Sequence, residues 1–138
     1  MKLTLPLCIF LPRVKSDDKK IILNMNVYRN MGHFNSAAAK LRYNILMEAE
    51  LERLEGEKEP RSVYEAPPYR FTYTLFPVNG SRMDVANVLS IVDKFTCDAL
   101  VEMGVIPDDN FKIVKEVVYR YGSVDKENPR AELEITSI

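Results

Sequence analysis

The strongest constraint on the fold is an amphipathic segment that begins between Ser81 and Asp84 and runs to about Met103. Its apolar residues recur every three or four positions, so they gather along one side of a helix that must pack on another element. They are Val85, Val88, Leu89, Val92, Ala99, Leu100 and Met103. Gly104 follows at once and supplies a common C-terminal stop. The pattern therefore predicts a long helix packed on a sheet.

Strands are expected on both sides of this helix. Residues 2–11 read as a buried strand, and the extended pattern of Lys20–Tyr28 suggests that the two segments form a hairpin. Alternation of apolar and polar residues predicts further strands over Tyr69–Val78, Phe111–Tyr121 and Arg130–Ile138.

A first helix is expected to begin near Asn35 or Ser36, either of which would cap it, and to end near Leu54. Its apolar stripe is predicted to contain Leu41, Ile45, Met47, Leu51 and Leu54. The resulting order of elements predicts an α+β fold with a mixed, mainly antiparallel sheet and two main helices packed on one face. A chain of 138 residues suits a single domain over 1–138.

Composition narrows the class of protein. Nineteen basic and twenty acidic residues give a net charge of −1, so any contact with nucleic acid must come from local clusters of Lys and Arg. Cys8 and Cys97 lack metal-binding spacing and are expected to be free thiols, which fits a reducing cytoplasm. The apolar stretch Leu3–Leu11 is too short to cross a bilayer, so no membrane association is expected.

A polar stripe accompanies the second helix. Asp84, Asn87, Lys94 and Asp98 are spaced so that they lie along one edge of it, next to the apolar face. The simpler interpretation is a solvated face on which Asp84 caps the helix and Lys94 pairs with Asp98.

Two adjacent carboxylates, Asp108 and Asp109, follow the helix at the expected start of a strand. They repel one another unless a cation or basic group compensates, and Mg²⁺ favours such oxygen ligands. A carboxylate from the helix start and one from this loop are therefore expected to share an ion. The alternative is that Pro107–Asn110 is only a turn, because Pro, Asp and Asn are turn residues.

The stretch MDVANVLSIVDKFTCDALVEMGVIPDDNFKIV resembles the core motif of the RusA family of Holliday junction resolvases, common in phages and prophages. The family's features fall on Asp84, Asn87, Lys94, Asp98-Ala99-Leu100, Gly104 and Asp108-Asp109. The preceding segment LNMNVYRNMGH is similar, more weakly, to the family's Asn/Arg/His-bearing segment.

This resemblance implies a homodimeric, Mg²⁺-dependent nuclease, with Mn²⁺ as a substitute metal, that makes paired symmetric nicks in four-way DNA junctions. Asp84, Asp108 and Asp109 would be metal ligands, Lys94 would contact the scissile phosphate or a carboxylate, and Asp84, Lys94 and Asp109 would be catalytic. Ala86 stands where the family carries a second Asp. Asp98 or, less favourably placed, Asp93 would replace that ligand.

DNA contacts are expected from the segment before the first helix and from the second helix. The candidates are Arg29, Asn30, His33, Arg82, Asn87 and Lys94. His33 suits phosphate contact or general base catalysis because histidine side chains exchange protons near neutral pH, although a helix-entry role is equally compatible. Arg13, Lys15, Lys19 and Lys20 form a basic turn that would grip the DNA backbone or simply be solvated.

Two other functions remain open from the sequence. Ala86 and the nearly neutral charge suit a branched-DNA-binding protein that has lost catalysis. The Glu-rich run EAELERLEGEKE permits a phage protein that binds a host partner, although such a run is also typical of a solvated helix end.

Overall fold

The main element of the fold is a four-stranded sheet. The structure is a computed structural model that describes residues 1–138. A separate two-stranded hairpin and three helices complete it. The elements in chain order are β1 Lys2–Leu5, β2 Cys8–Leu11, β3 Lys19–Ile22, α1 Met25–Arg29, α2 His33–Gly56, β4 Tyr69–Phe76, α3 Val85–Glu102, β5 Val114–Tyr121 and β6 Arg130–Ser137.

The strand order in the main sheet is β1-β6-β4-β5. β1 and β4 both pair antiparallel with β6, whereas β5 pairs parallel with β4. Parallel neighbours need a crossover connection, and α3 provides it. The prediction of an α+β fold with a mixed, mainly antiparallel sheet is confirmed.

One face of this sheet is apolar and the other is polar. Along β4, Tyr69, Phe71, Tyr73 and Leu75 are buried while the residues between them are only partly covered. α2 packs on β1, and α3 packs on β4 and β5, so both long helices cover the apolar face. The predicted layering is thus confirmed, with the short helix α1 as an addition.

The first 30 residues differ from the sequence prediction. Residues 2–11 form two strands, because Pro6 has no N–H to continue a ladder: β1 joins the main sheet and only β2 pairs with β3. The predicted strand Lys20–Tyr28 ends at Ile22. The chain then turns into α1, whose first turn is capped by Asn24 Oδ1 accepting from the Val27 N–H at 2.8 Å.

The expected cap and stripe of the first long helix are also corrected. α2 begins at His33 with Gly32 at the N-cap position, so neither Asn35 nor Ser36 caps it. Its buried stripe is Ala39, Tyr43, Met47, Leu51 and Leu54. Leu41 and Ile45 are 67% and 57% exposed, because two positions from Tyr43 corresponds to about 200° around a helix.

The second long helix agrees with its prediction. α3 buries nine of its 18 residues, and Gly104, at φ 71°, follows its end as expected. β5 begins at Val114 instead of Phe111, since the N–H groups of Ile113 and Val114 donate to the Asn110 carbonyl in a turn. Both cysteines are free thiols. None of the helices is long and apolar enough to span a membrane.

A buried hydrogen bond joins the two long helices, and it allows a test of the packing. The hydroxyls of Tyr43 and Thr96 lie 2.6 Å apart, and both residues are fully buried. We expect Tyr43→Phe to lower the free energy of unfolding by about 1–2 kcal/mol, because the Thr96 hydroxyl loses its partner. In denaturant titrations, Tyr43→Phe with Thr96→Val should cost less than the sum of the single changes. Strict additivity would contradict the bond.

Candidate functional site

The helix α1 organises the end of the molecule where most of the candidate residues lie. Asn87 Oδ1 on α3 accepts a hydrogen bond from the Met25 N–H at 3.2 Å, at the start of α1. Near the end of α1, the Lys94 ammonium lies 5.9 Å from the centre of the Tyr28 ring. Asn87 and Lys94 therefore hold α1 along the N-terminal half of α3.

The candidates Arg29 and Asn30 lie at the C-terminal end of α1, and His33 is the first residue of α2. Arg29 and His33 are exposed. The side-chain amide of Asn30 donates to the Asn26 carbonyl at 2.8 Å, so part of its hydrogen-bonding capacity stabilises α1. Arg29 and His33 thus remain open to a ligand in solvent.

An open groove of about 400 Å³ lies between α1, β3 and the start of α2. Its polar lining consists of Lys19, Lys20, Asn26, Asn30 and Asn35, and we call it the α1 groove. No acidic residue lines it. Ammonium and amide groups are donors that suit phosphate oxygens. This groove was not expected from the sequence, because residues 24–28 have the composition of a strand and were predicted to continue one.

The basic residues of the turn before the groove have different roles. Lys19 and Lys20 line the α1 groove. The Arg13 side chain instead donates from Nε to the Asp17 carbonyl at 2.8 Å and so stabilises its own turn. Lys15 is exposed at the tip.

Asp84 and Arg82 stand at the N-terminal end of α3, and both are exposed. Asp84 occupies the N-cap position, yet its side chain makes no capping hydrogen bond. The interpretation of Asp84 as a capping side chain is therefore wrong, and its carboxylate remains open to solvent.

Asp98 on α3 interacts with α2 and so helps to join the two long helices. Its carboxylate lies 3.5 Å from Lys40 Nζ on α2, and Glu102 lies 3.4 Å from the same nitrogen. The nearby Asp98 carboxylate is the main reason that the pKa of Lys40 is raised. The expected pair between Lys94 and Asp98 is not formed, since Lys94 faces α1.

Asp108 and Asp109 differ from one another. Asp108 accepts from the Asp109 N–H and from the Asn110 amide, both at 2.7 Å. The backbone N–H of Asp109 is the main cause of the lowered pKa of Asp108. The hydrogen-bonded turn lies one step later than the expected Pro107–Asn110, because the Ile113 N–H donates to the Asn110 carbonyl. Asp109 is exposed, and its carboxylate accepts no hydrogen bond from the chain.

The carboxylates expected to share a cation lie at opposite ends of α3. Asp84 precedes the helix and Asp108 follows it, and 18 helical residues span about 27 Å. The N–H groups of Val105 and Ile106 donate to the Leu100 carbonyl, so these two residues lie beside the C-terminal end of the helix. No group of three or more His, Cys, Asp or Glu residues is arranged to hold a metal ion. The expectation of one shared ion stays a prediction, and the length of α3 between the two carboxylates counts against a site within one chain.

Asp93, which helical spacing places away from the polar edge of α3, accepts hydrogen bonds from three different side chains. Asp93 accepts from the hydroxyls of Tyr73 on β4 and Tyr119 on β5, both at 2.7 Å, and from the Cys97 thiol at 3.2 Å. This cluster fastens α3 to the two parallel strands. The available sequence signal was the alternation that puts both tyrosines on the inner sheet face.

Fold and site together define an α+β protein whose exposed donors surround α1 and the start of α3. No family model matches the chain, and no curated protein matches it. The relation to the RusA family therefore remains a prediction from the motif.

The Asp93 cluster predicts a loss of stability at alkaline pH. Burial is the main cause that raises the pKa of Tyr73, Tyr119 and Cys97. From about pH 9–10 the unfolded chain releases these protons while the folded chain retains them, so the free energy of unfolding falls as pH rises. We expect a decline of up to about 1.4 kcal/mol per pH unit for each such group.

Denaturant titrations between pH 7 and 11 test this with a matched pair of variants. Tyr73→Phe should make the decline shallower, because one buried phenol no longer titrates. Tyr64→Phe, at an 85% exposed position, should leave the slope as in the unsubstituted protein. Equal slopes in all three proteins would contradict the prediction.

Proposed function

We propose that this chain is a RusA-type endonuclease that binds four-way DNA junctions as a homodimer and cuts them by paired symmetric nicks. The observation that carries the proposal is the motif from Asp84 to Asp109, which resembles the family's core motif in residue type and order. Its setting would be the cytoplasm of a bacterium or of a phage-infected host.

The distribution of charge supports DNA binding despite the net charge of −1. The α1 groove has no acidic residue in its lining. Three further candidate cations lie around the same helix: Arg29, His33 and Lys94. The Glu-rich segment lies at the opposite end of the 24-residue helix α2 from α1, and four of its glutamates are held in the ion pairs Glu50–Arg53, Glu57–Arg53, Glu48–Arg61 and Glu55–Arg61. Phosphate can therefore approach the α1 end without meeting the Glu-rich segment.

The directions of the two long helices also support DNA binding at the α1 end of the molecule. Lys40 contacts Asp98 and Asn44 contacts Glu102, so α2 and α3 run in the same direction. Their N-terminal ends consequently share the α1 side of the molecule. Helix N-termini carry partial positive charge and favour phosphate.

The acidic residues constrain how a metal would be held. The single-chain arrangement does not fit one Mg²⁺ or Mn²⁺ ion shared by Asp84 and Asp109, because α3 separates them. Asp84 and Lys94 are ten residues apart, about 15 Å along the helix, so they would face different phosphates. In this proposal Asp84 and Asp109 cooperate only when ligands come from DNA or from a second copy.

A second candidate is a branched-DNA-binding protein without nuclease activity. Two observations favour it: Ala86 in place of the family's second Asp, and the separation of Asp84 from Asp108 and Asp109 by the length of α3. Recognition by the α1 groove would be retained, since it uses none of these carboxylates.

Nicking of a synthetic four-way junction separates the two candidates. With Mg²⁺ or Mn²⁺ the endonuclease should nick opposite strands, and Asp84→Asn and Asp109→Asn should each stop nicking while the band shift persists. Nicking that survives both changes would remove the assigned site. A band shift without nicking at any metal concentration would favour the second candidate, and no shift at low salt would remove both.

Binding itself should depend on the cations around α1. Arg29→Ala and Lys94→Ala are each expected to weaken junction binding and to reduce the slope of log affinity against log salt by about one, because each removes one phosphate contact. Lys2→Gln, an exposed change on β1, is the matched control and should leave the slope unchanged. Affinity lost equally in all three variants would argue against the α1 surface.

A further inference from the structure

The helix α1 is too short to be stable through its own hydrogen bonds. It has five residues, whereas an isolated helix in water is only marginal even at about 12–15 residues. None of its residues is fully buried, although Met25, Val27 and Tyr28 pack against the core. The position of α1 therefore depends on a few contacts with neighbouring elements.

The first amide of α1 is satisfied from outside the helix. Asn24 Oδ1 caps the Val27 N–H, whereas the Met25 N–H, at the first helical position, donates to Asn87 Oδ1 on α3. Only the oxygen of an amide side chain can accept this bond, so Met25 fixes the orientation of the Asn87 amide. Without Asn87, an N–H group at the contact between two helices would have no protein partner.

The opposite end of α1 restrains Lys94. The Tyr28 ring lies edge-on to Phe95, with ring centres 6.0 Å apart, and the Lys94 ammonium lies 5.9 Å from the centre of the Tyr28 ring. An aromatic ring at this distance attracts an ammonium group. The nearby carboxylate of Asp98 is paired with Lys40, so the Tyr28 ring is the contact that restrains the Lys94 ammonium.

We propose that Asn87 is a positioning residue: by holding the start of α1, it fixes the Tyr28 ring and, through that ring, the Lys94 ammonium. Asn87 and Lys94 are seven residues apart on one edge of α3, and Met25 and Tyr28 of α1 meet them in the same order. α1 thus links two side chains that about 10 Å of helix separates.

This role differs from the DNA contact that the motif suggests for Asn87. The link between Asn87, α1 and Lys94 is a property of the free protein. Its consequence for DNA rests on the proposed function, in which Lys94 contacts phosphate.

Two substitutions separate positioning from direct contact. A contact with phosphate would use the Asn87 amino group, because the oxygen already accepts from Met25. Asn87→Asp keeps an acceptor in the same place and removes the amino group. Asn87→Leu, of similar size, removes both. A positioning role is therefore rescued by Asp and not by Leu.

Hydrogen exchange of the full chain, without DNA or metal, tests the link between Asn87 and α1. Asn87→Leu should speed exchange of the Met25 amide by about tenfold, because one hydrogen bond is lost, while the amides of β4 stay as protected as before. Asn87→Asp should keep the slow exchange. Asn128→Leu, at an exposed position between β5 and β6, is the matched control and should change nothing.

NMR of the Lys94 side chain tests the link between α1 and Lys94. Tyr28→Leu provides the reference in which the ring-current shift of the Lys94 methylene protons is absent. Asn87→Leu should move these signals most of the way to that reference, because the ring is no longer held. Asn87→Asp should leave them close to their positions in the unsubstituted protein.

Affinity for a synthetic four-way junction without metal tests the consequence for DNA binding. Asn87→Leu should lower the affinity by about threefold, and by less when Lys94 is already Ala, because both changes remove the same contact. Losses that add in the double variant would place Asn87 on the DNA itself and refute the positioning role.

Three results in the free protein would also overturn the proposal. They are unchanged Met25 exchange in Asn87→Leu, exchange in Asn87→Asp as fast as in Asn87→Leu, and Lys94 signals that stay in place when Asn87 is replaced by Leu. If none of the proteins binds the junction, both proposed DNA functions fail, while exchange and NMR still decide whether Asn87 positions Lys94.

Discussion

The attachment of α3 to the parallel strands determines where the acidic candidate groups at its two ends lie. Asp93 accepts from Tyr73 and Tyr119 and so links one helix to two strands, while the apolar side of α3 closes the core around it. Asp84 lies before the N-terminal end of this helix, and Asp108 follows its C-terminal end. The same attachment that makes the fold stable therefore separates the acidic groups.

The helix α1 has the opposite effect, since it brings residues together. Asn87 anchors its start, Lys94 lies over the ring of Tyr28, and the chain then enters α2. The polar edge of α3 consequently contacts α1 through Asn87 and Lys94. The donor-lined groove beside α1 and the open edge of β5 are two separate features of the molecule.

Sequence reasoning predicted the elements with strong periodicity. α3, β4 and β6 lie close to their expected positions, because alternation with a period of 2 or 3.6 is imposed by burial of one face. It failed where a short segment has no distinctive period: Met25–Arg29 resembles a strand in composition, but the Asn24 cap and the contact with α3 make it helical. In α2, apolar residues on two sides of the helix concealed which stripe is buried.

The amino-acid sequence alone determined the class of fold, the length of α3 and the motif from which a nuclease is proposed, since each depends on residues close together in the chain. Only the tertiary structure decided that Asp98 forms an ion pair with Lys40 and that Asp93 accepts hydrogen bonds from two tyrosines. It also decided that Asp84 and Asp109 are separated by the helix α3. Helical spacing defines which residues share an edge, but not which element packs against that edge. That choice comes from strand order and packing, which are properties of contacts between distant parts of the chain.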